Sequence, residues 1–105
     1  MKKLTVIINT NLDRRHHCGG WAAVCVETGR KISDQAYITT SDKLSLIAMI
    51  EATKVFGGTD VKLRFINKNG RAVSAVRHPS ASVNCAYGRE FRAVARATGS
   101  RYTFR

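Results

Sequence analysis

The sequence predicts an α/β domain built on a mixed sheet of five strands, three antiparallel and then two parallel, with two main helices. Three observations carry this. A β-branched apolar run opens the chain at Leu4 to Asn9, and helix-periodic stretches occupy residues 41–56 and 83–98. Each helical stretch is followed by or precedes a short alternating one, Val61 to Phe65 and Arg101 to Arg105. Strands joined by a turn pair antiparallel, whereas strands reached through a helix take a crossover connection and pair parallel.

The elements follow in order. Leu4 to Asn9 is apolar at successive positions, as a central strand buried on both faces would be. Asn11 to Gly20 reads as a loop. Trp21 to Glu27 has strand composition, Thr28-Gly29 makes a turn, and Arg30 to Ile38 is extended again, so these two form a hairpin. Thr39-Thr40-Ser41-Asp42 offers N-cap residues, Leu44, Ile47 and Ile50 recur at helical spacing as far as Phe56, and Gly57-Gly58 stop the helix. Val61, Leu63 and Phe65 alternate with Lys62 and Arg64 in a fourth strand, which Asn67 and Asn69-Gly70 end. Arg71 to Arg77 is a short helix before Pro79, and Ser80-Ala81-Ser82 a small linker. From Val83 to Thr98, Tyr87, Phe91, Val94 and Thr98 share one helix face while Arg89, Arg92 and Arg96 share the opposite one. Gly99 is the C-cap, and Arg101 to Arg105 the last strand.

Composition bounds the function. The 105 residues make one domain, 1–105, and 44% hydrophobic content is ordinary for a folded chain. No apolar stretch approaches the roughly 20 residues of a membrane span, and the short run after Met1-Lys2-Lys3 suits a strand better than a signal peptide. Cys18, Cys25 and Cys85 are odd in number and widely spaced, which suggests neither a disulfide framework nor a zinc site, and a reducing cytoplasm is expected. The net charge is +11, unevenly placed: residues 1–60 hold 8 Lys and Arg against 6 acids, residues 61–105 hold 10 against Glu90 alone. Such one-sided charge points to a polyanionic partner, a nucleic acid or an acidic protein, and not to a membrane surface. There is no GxSxG, Walker loop, GxGxxG or carboxylate pair, so no enzymatic apparatus is visible.

Gly19-Gly20-Trp21-Ala22-Ala23-Val24 resembles the Gly-Gly-aromatic start of the second strand in ribonuclease H. Thr39-Thr40-Ser41-Asp42-Lys43-Leu44-Ser45-Leu46 resembles that family's Thr-Thr-Asn-Asn-Arg-Met-Glu-Leu segment, and Phe91 to Arg105 its penultimate helix and fifth strand. The resemblance spans nearly the whole chain and implies a ribonuclease H-like sheet. Members of that family cleave the RNA strand of a hybrid with two magnesium ions held by acids on the first strand, the first helix, the fourth strand and a final helix. The matching positions are Asn9, Ser45 and Asn67, and the final helix has no counterpart. Magnesium needs anionic oxygen ligands, so the resemblance implies a degenerate active site with no metal, no cofactor and no hydrolysis.

The same resemblance sets Thr40 beside a phosphate pocket, Lys43 on its neighbouring Arg, and Asn69 on a residue that reads the minor groove; Ser41 and Asp42 replace two Asn there. Lys68 and Arg71 flank Asn69. Further basic groups are the Arg14-Arg15-His16-His17 loop, the Arg89, Arg92, Arg96 stripe, and Arg101 and Arg105 on one face of the last strand. Trp21, Tyr37, Phe56, Phe65, Tyr87, Phe91, Tyr102 and Phe104 are expected in the core, which leaves no platform for stacking single-strand bases. The expected function is therefore non-catalytic binding of a duplex, DNA or RNA-containing, through backbone phosphates. The alternative is an interaction or inhibitor module, such as a viral or mobile-element accessory protein. It would use the basic C-terminal half or an uncovered sheet face, with an acidic protein or a second copy as partner.

Overall fold

A computed structural model describes residues 1–37 and 40–105. Its elements are β1 (Lys2–Asp13), β2 (Cys18–Cys25), β3 (Lys31–Ala36), α1 (Ser41–Phe56), β4 (Val61–Ile66), α2 (Gly70–Arg77), a 3₁₀ turn (Pro79–Ala81), α3 (Cys85–Thr98) and β5 (Arg101–Phe104). The strands form one sheet in the order β3-β2-β1-β4-β5. β1 pairs antiparallel with β2, and β2 with β3, whereas β1–β4 and β4–β5 are parallel. The three-antiparallel, two-parallel sheet is thus present.

All three helices lie on one side of it. Leu4, Val6 and Ile8 of β1, Trp21, Ala23 and Cys25 of β2, and Leu63 and Phe65 of β4 form one core with Leu44, Leu46, Met49, Ala75, Val76 and Phe91 of the helices. Phe91 meets Phe65 edge-on at 5.7 Å and Tyr102 at 4.9 Å between ring centroids, an arrangement that adds to simple burial. The contact between α2 and α3 depends on a missing side chain: a Cβ on Gly88 of α3 would strike the Ala75 carbonyl oxygen of α2. Gly19 plays the same part in β2, where a Cβ would collide with Leu44.

Several expectations are corrected. β1 is not buried on both faces: Thr5 and Ile7, which alternate with the core residues, are half-buried on a side that carries no helix among the described residues. The strand is also longer, because Thr10 to Asp13, polar except for Leu12, pair with Trp21, Gly20, Gly19 and Cys18 in register. The loop read over residues 11–20 shrinks to a four-residue turn, Arg14 to His17, with His17 at φ 49°. Tyr37 is 93% exposed, not in the core. α3 begins at Cys85, which leaves Val83 exposed, and the linker after Pro79 is a 3₁₀ turn. β3 ends at Ala36; Ile38 and Thr39 lie outside the described residues.

The N-cap of α1 and the C-cap of α3 stand where the sequence puts them. Thr40 caps α1, its Oγ1 accepting from the Lys43 N–H at 3.3 Å. Asn69 caps α2 through Oδ1, which accepts from the Ala72 N–H at 3.0 Å. Gly99 closes α3 in the left-handed conformation, φ 71°.

Candidate functional site

Parallel strands β1 and β4 stop pairing at Ile7 and Ile66, and the chain leaves them in opposite directions, to β2 on one side and through α2 and α3 to β5 on the other. A crevice opens at such a switch point, at the carboxyl ends of the strands. Here it is a cleft of about 790 Å³ walled by Asn9 and Thr10 of β1, Ser41, Asp42 and Ser45 of α1, and Asn67 to Arg71 after β4. The three positions singled out by the sequence, Asn9, Ser45 and Asn67, therefore meet in one place.

They are not equivalent there. Ser45 and Asn67 are buried, and the Ser45 hydroxyl donates to Asn67 Oδ1 at 3.0 Å. The Asn69 N–H donates to the same oxygen at 3.0 Å, and Asn67 Nδ2 points to the Met49 sulfur at 3.6 Å. This small network forms the cleft floor. Asn9 is exposed on the wall. Asn69 Nδ2 donates to Asp42 Oδ1 at 2.8 Å, so its amide ties the start of α2 to the start of α1. That engagement occupies the side chain assigned by resemblance to groove reading.

The electrostatics favour an anion. The N-termini of α1 and α2 open on the cleft, where the helix dipoles carry partial positive charge, and α2 has no acid in its first turn. Lys68 and Arg71 supply full charges; among the described residues Asp42 is the only carboxylate lining the cleft. A second depression shares Asn67 and Gly70 with it and continues along the same sheet edge past Arg77, His78 and Arg105. Arg77 lies over the Phe104 ring at 5.4 Å, which fixes its guanidinium at that edge. Arg105 was singled out in the sequence with Arg101, but Arg77 was not; its signal was the end of a helix that terminates on the cleft side.

The other candidates lie apart. Beyond Ile7, β1 runs six further residues paired only with β2, roughly 20 Å at ordinary strand rise, so the hairpin carries Arg14 and Arg15 out past the cleft. At its tip His16 Nδ1 sits 2.7 Å from Asp13 Oδ2, and this contact holds the Asp13 carboxyl below its usual range. Arg89, Arg92 and Arg96 line a separate groove with Pro79 and Ser80. Thr40 and Lys43 stand behind the cleft, neither being among its lining residues. Among the described residues, no three His, Cys, Asp or Glu groups converge as a metal site would require, and the three cysteines are unpaired. No helix among those residues is long and apolar enough to cross a membrane. No protein-family model and no curated protein matches the chain.

Proposed function

We propose that the protein is a ribonuclease H-like domain without nuclease activity that holds a nucleic-acid duplex by its backbone phosphates along the carboxyl edge of the sheet. The carrying observation is the cleft: Asn9, Ser45 and Asn67, far apart in sequence, line it together, with uncharged amides and a hydroxyl where a metal-dependent nuclease of this kind has carboxylates. The strand order and its mixture of antiparallel and parallel pairs support the same family reading. With Lys68 and Arg71 at the rim and Arg77 and Arg105 beyond, the edge offers a run of cations for a phosphate backbone. A duplex fits better than a single strand, because Tyr37 is the one ring exposed among the described residues and a lone ring is no stacking track.

Fluorescence anisotropy with labelled duplex DNA, duplex RNA, hybrid and single strands, titrated over a salt series, tests this. A duplex should bind intact, with magnesium acting only through ionic strength. Lys68→Ala combined with Arg71→Ala should lower the log–log salt slope by about 2, one unit for each lost phosphate contact. The same change at Arg89 and Arg92 should lower it less. Absence of binding at low salt, or strand cleavage in magnesium or manganese, would overturn the reading.

A further inference from the structure

The side of the sheet away from the helices is divided into two zones. Strand register sets Lys3, Lys62 and Arg101 next to one another across β1, β4 and β5, with Arg64 one row further along, between Thr5 and Thr103. Like charges in adjacent register repel. A depression of about 410 Å³ lies here, bordered by Lys3, Thr5, Glu27, Lys62, Arg64 and Thr103. Its one acid is already engaged: Glu27 Oε1 accepts from the Thr5 N–H at 2.6 Å.

The next row is aliphatic. Val24, Ile7 and Ile66 sit side by side across β2, β1 and β4, all half-buried and outside the core, and Lys31 flanks Val24 on β3. Successive rows are about 6.6 Å apart along the strands, so Arg64 stands one row from the aliphatic strip and Lys3, Lys62 and Arg101 two rows, about 13 Å, a span that one helix of roughly 10–12 Å covers with the long cationic side chains folded towards it.

A ligand that relieves both zones must present carboxylates and apolar groups together. A nucleic-acid backbone would answer the cations and leave Val24, Ile7 and Ile66 in water, and among the described strand residues this face has no aromatic ring on which a base could stack. We propose that this face docks an acidic amphipathic helix of a partner protein, its apolar side on Val24, Ile7 and Ile66 and its carboxylates over Lys3, Lys62, Arg64 and Arg101. The strip shares Ile7 and Ile66 with the cleft lining, whereas Val24 and the cations Lys3, Lys62, Arg64 and Arg101 lie outside it, so the proposal stands whether or not a duplex binds in the cleft.

The test is a titration of ¹⁵N-labelled protein with a synthetic three-heptad helix carrying Leu at the a and d positions and Glu elsewhere. Amide shifts should concentrate at Lys3, Ile7, Val24, Lys62 and Ile66. Replacing the peptide's Leu by Ser should abolish binding. In the protein, Lys62→Glu with Arg64→Glu should weaken it about tenfold, as two exposed attractions become repulsions. The Leu-to-Ser peptide reads the apolar strip on unaltered protein, so the result does not depend on that variant folding. The proposal fails if polyglutamate binds as well as the peptide, or if the shifts fall instead on the cleft residues Ser45, Asn67, Lys68 and Arg71. It also fails if duplex RNA or phosphatidylserine vesicles perturb the same amides more strongly.

Discussion

On the helix side of the sheet, Leu4, Val6, Ile8, Trp21, Ala23, Leu63 and Phe65 are buried in one core; one residue out of phase, the same strands show Lys3, Thr5, Ile7, Val24, Lys62 and Arg64 to the other side. The period of two that separates the faces lets one chain segment specify stability and charge independently. Substitutions on the first face alter packing at near-solid density, and those on the second alter mainly the field around the molecule.

The largest effects are therefore expected at the centre of the covered face. Phe91→Ala should cost about 3–5 kcal/mol in urea unfolding, since Phe91 is fully buried against Phe65 and Tyr102 and the site is ringed by other large side chains. Gly88→Ala should cost about 1–3 kcal/mol through overpacking, because the added methyl meets backbone of α2 and neither helix can yield alone. A near-neutral Gly88→Ala would show that α2 and α3 are not as closely docked as described.

Between the two faces lies the cleft floor. Asn67→Ala should cost about 1–3 kcal/mol, as it strands the buried Ser45 hydroxyl and removes the acceptor of the Asn69 N–H. Ser45→Ala should cost less, since Asn67 Oδ1 keeps its bond from Asn69. Equal losses in thermal unfolding would mean that the Asn69 bond contributes nothing.

What was legible in the sequence divides along similar lines. Elements with local signals stand where expected: Thr40 and Gly99 cap their helices, and Leu63 and Phe65 alternate inward. Asn11 to Asp13 were read as loop because Asn11 and Asp13 mark a loop locally, while their strand conformation comes from pairing with residues 18–20, a tertiary choice that propensity does not encode. The three cleft positions were found by resemblance, yet nothing local indicates that Ser45 and Asn67, 22 residues apart, are bonded to each other. Likewise each strand's alternation is readable, but the adjacency of Lys3, Lys62 and Arg101 exists only once register is known.

That adjacency gives a prediction of opposite sign to the core ones. Lys62→Glu should raise stability by about 0.2–1 kcal/mol at low salt, because it converts two like-charge neighbours into attractive ones. The gain should fade towards 1 M salt, where the Debye length is about 3 Å. A loss of stability, or a gain indifferent to salt, would show that the lysine's aliphatic stem matters more than its charge.

The smallest effect concerns Glu27, just past the end of β2. Its carboxylate takes the Thr5 N–H in place of a strand partner, and this bond, helped by the nearby Arg64 charge, holds its pKa below the usual range. The ionised form is thus favoured in the folded state. Its contribution is complete above the unfolded value, about 4.3 for glutamate, and is lost as pH falls through the lower folded value. Glu27→Gln should therefore leave a melting profile that declines less steeply with acid below about pH 4.5 than the wild type does. Asp13, lowered by His16 at the hairpin tip, adds a decline of the same sign, so Asp13→Asn must be measured in parallel. If only Asp13→Asn flattens the profile, the Glu27 bond to β1 does not persist in solution, and the charged zone of the open face gains an unpaired carboxylate beside Arg64.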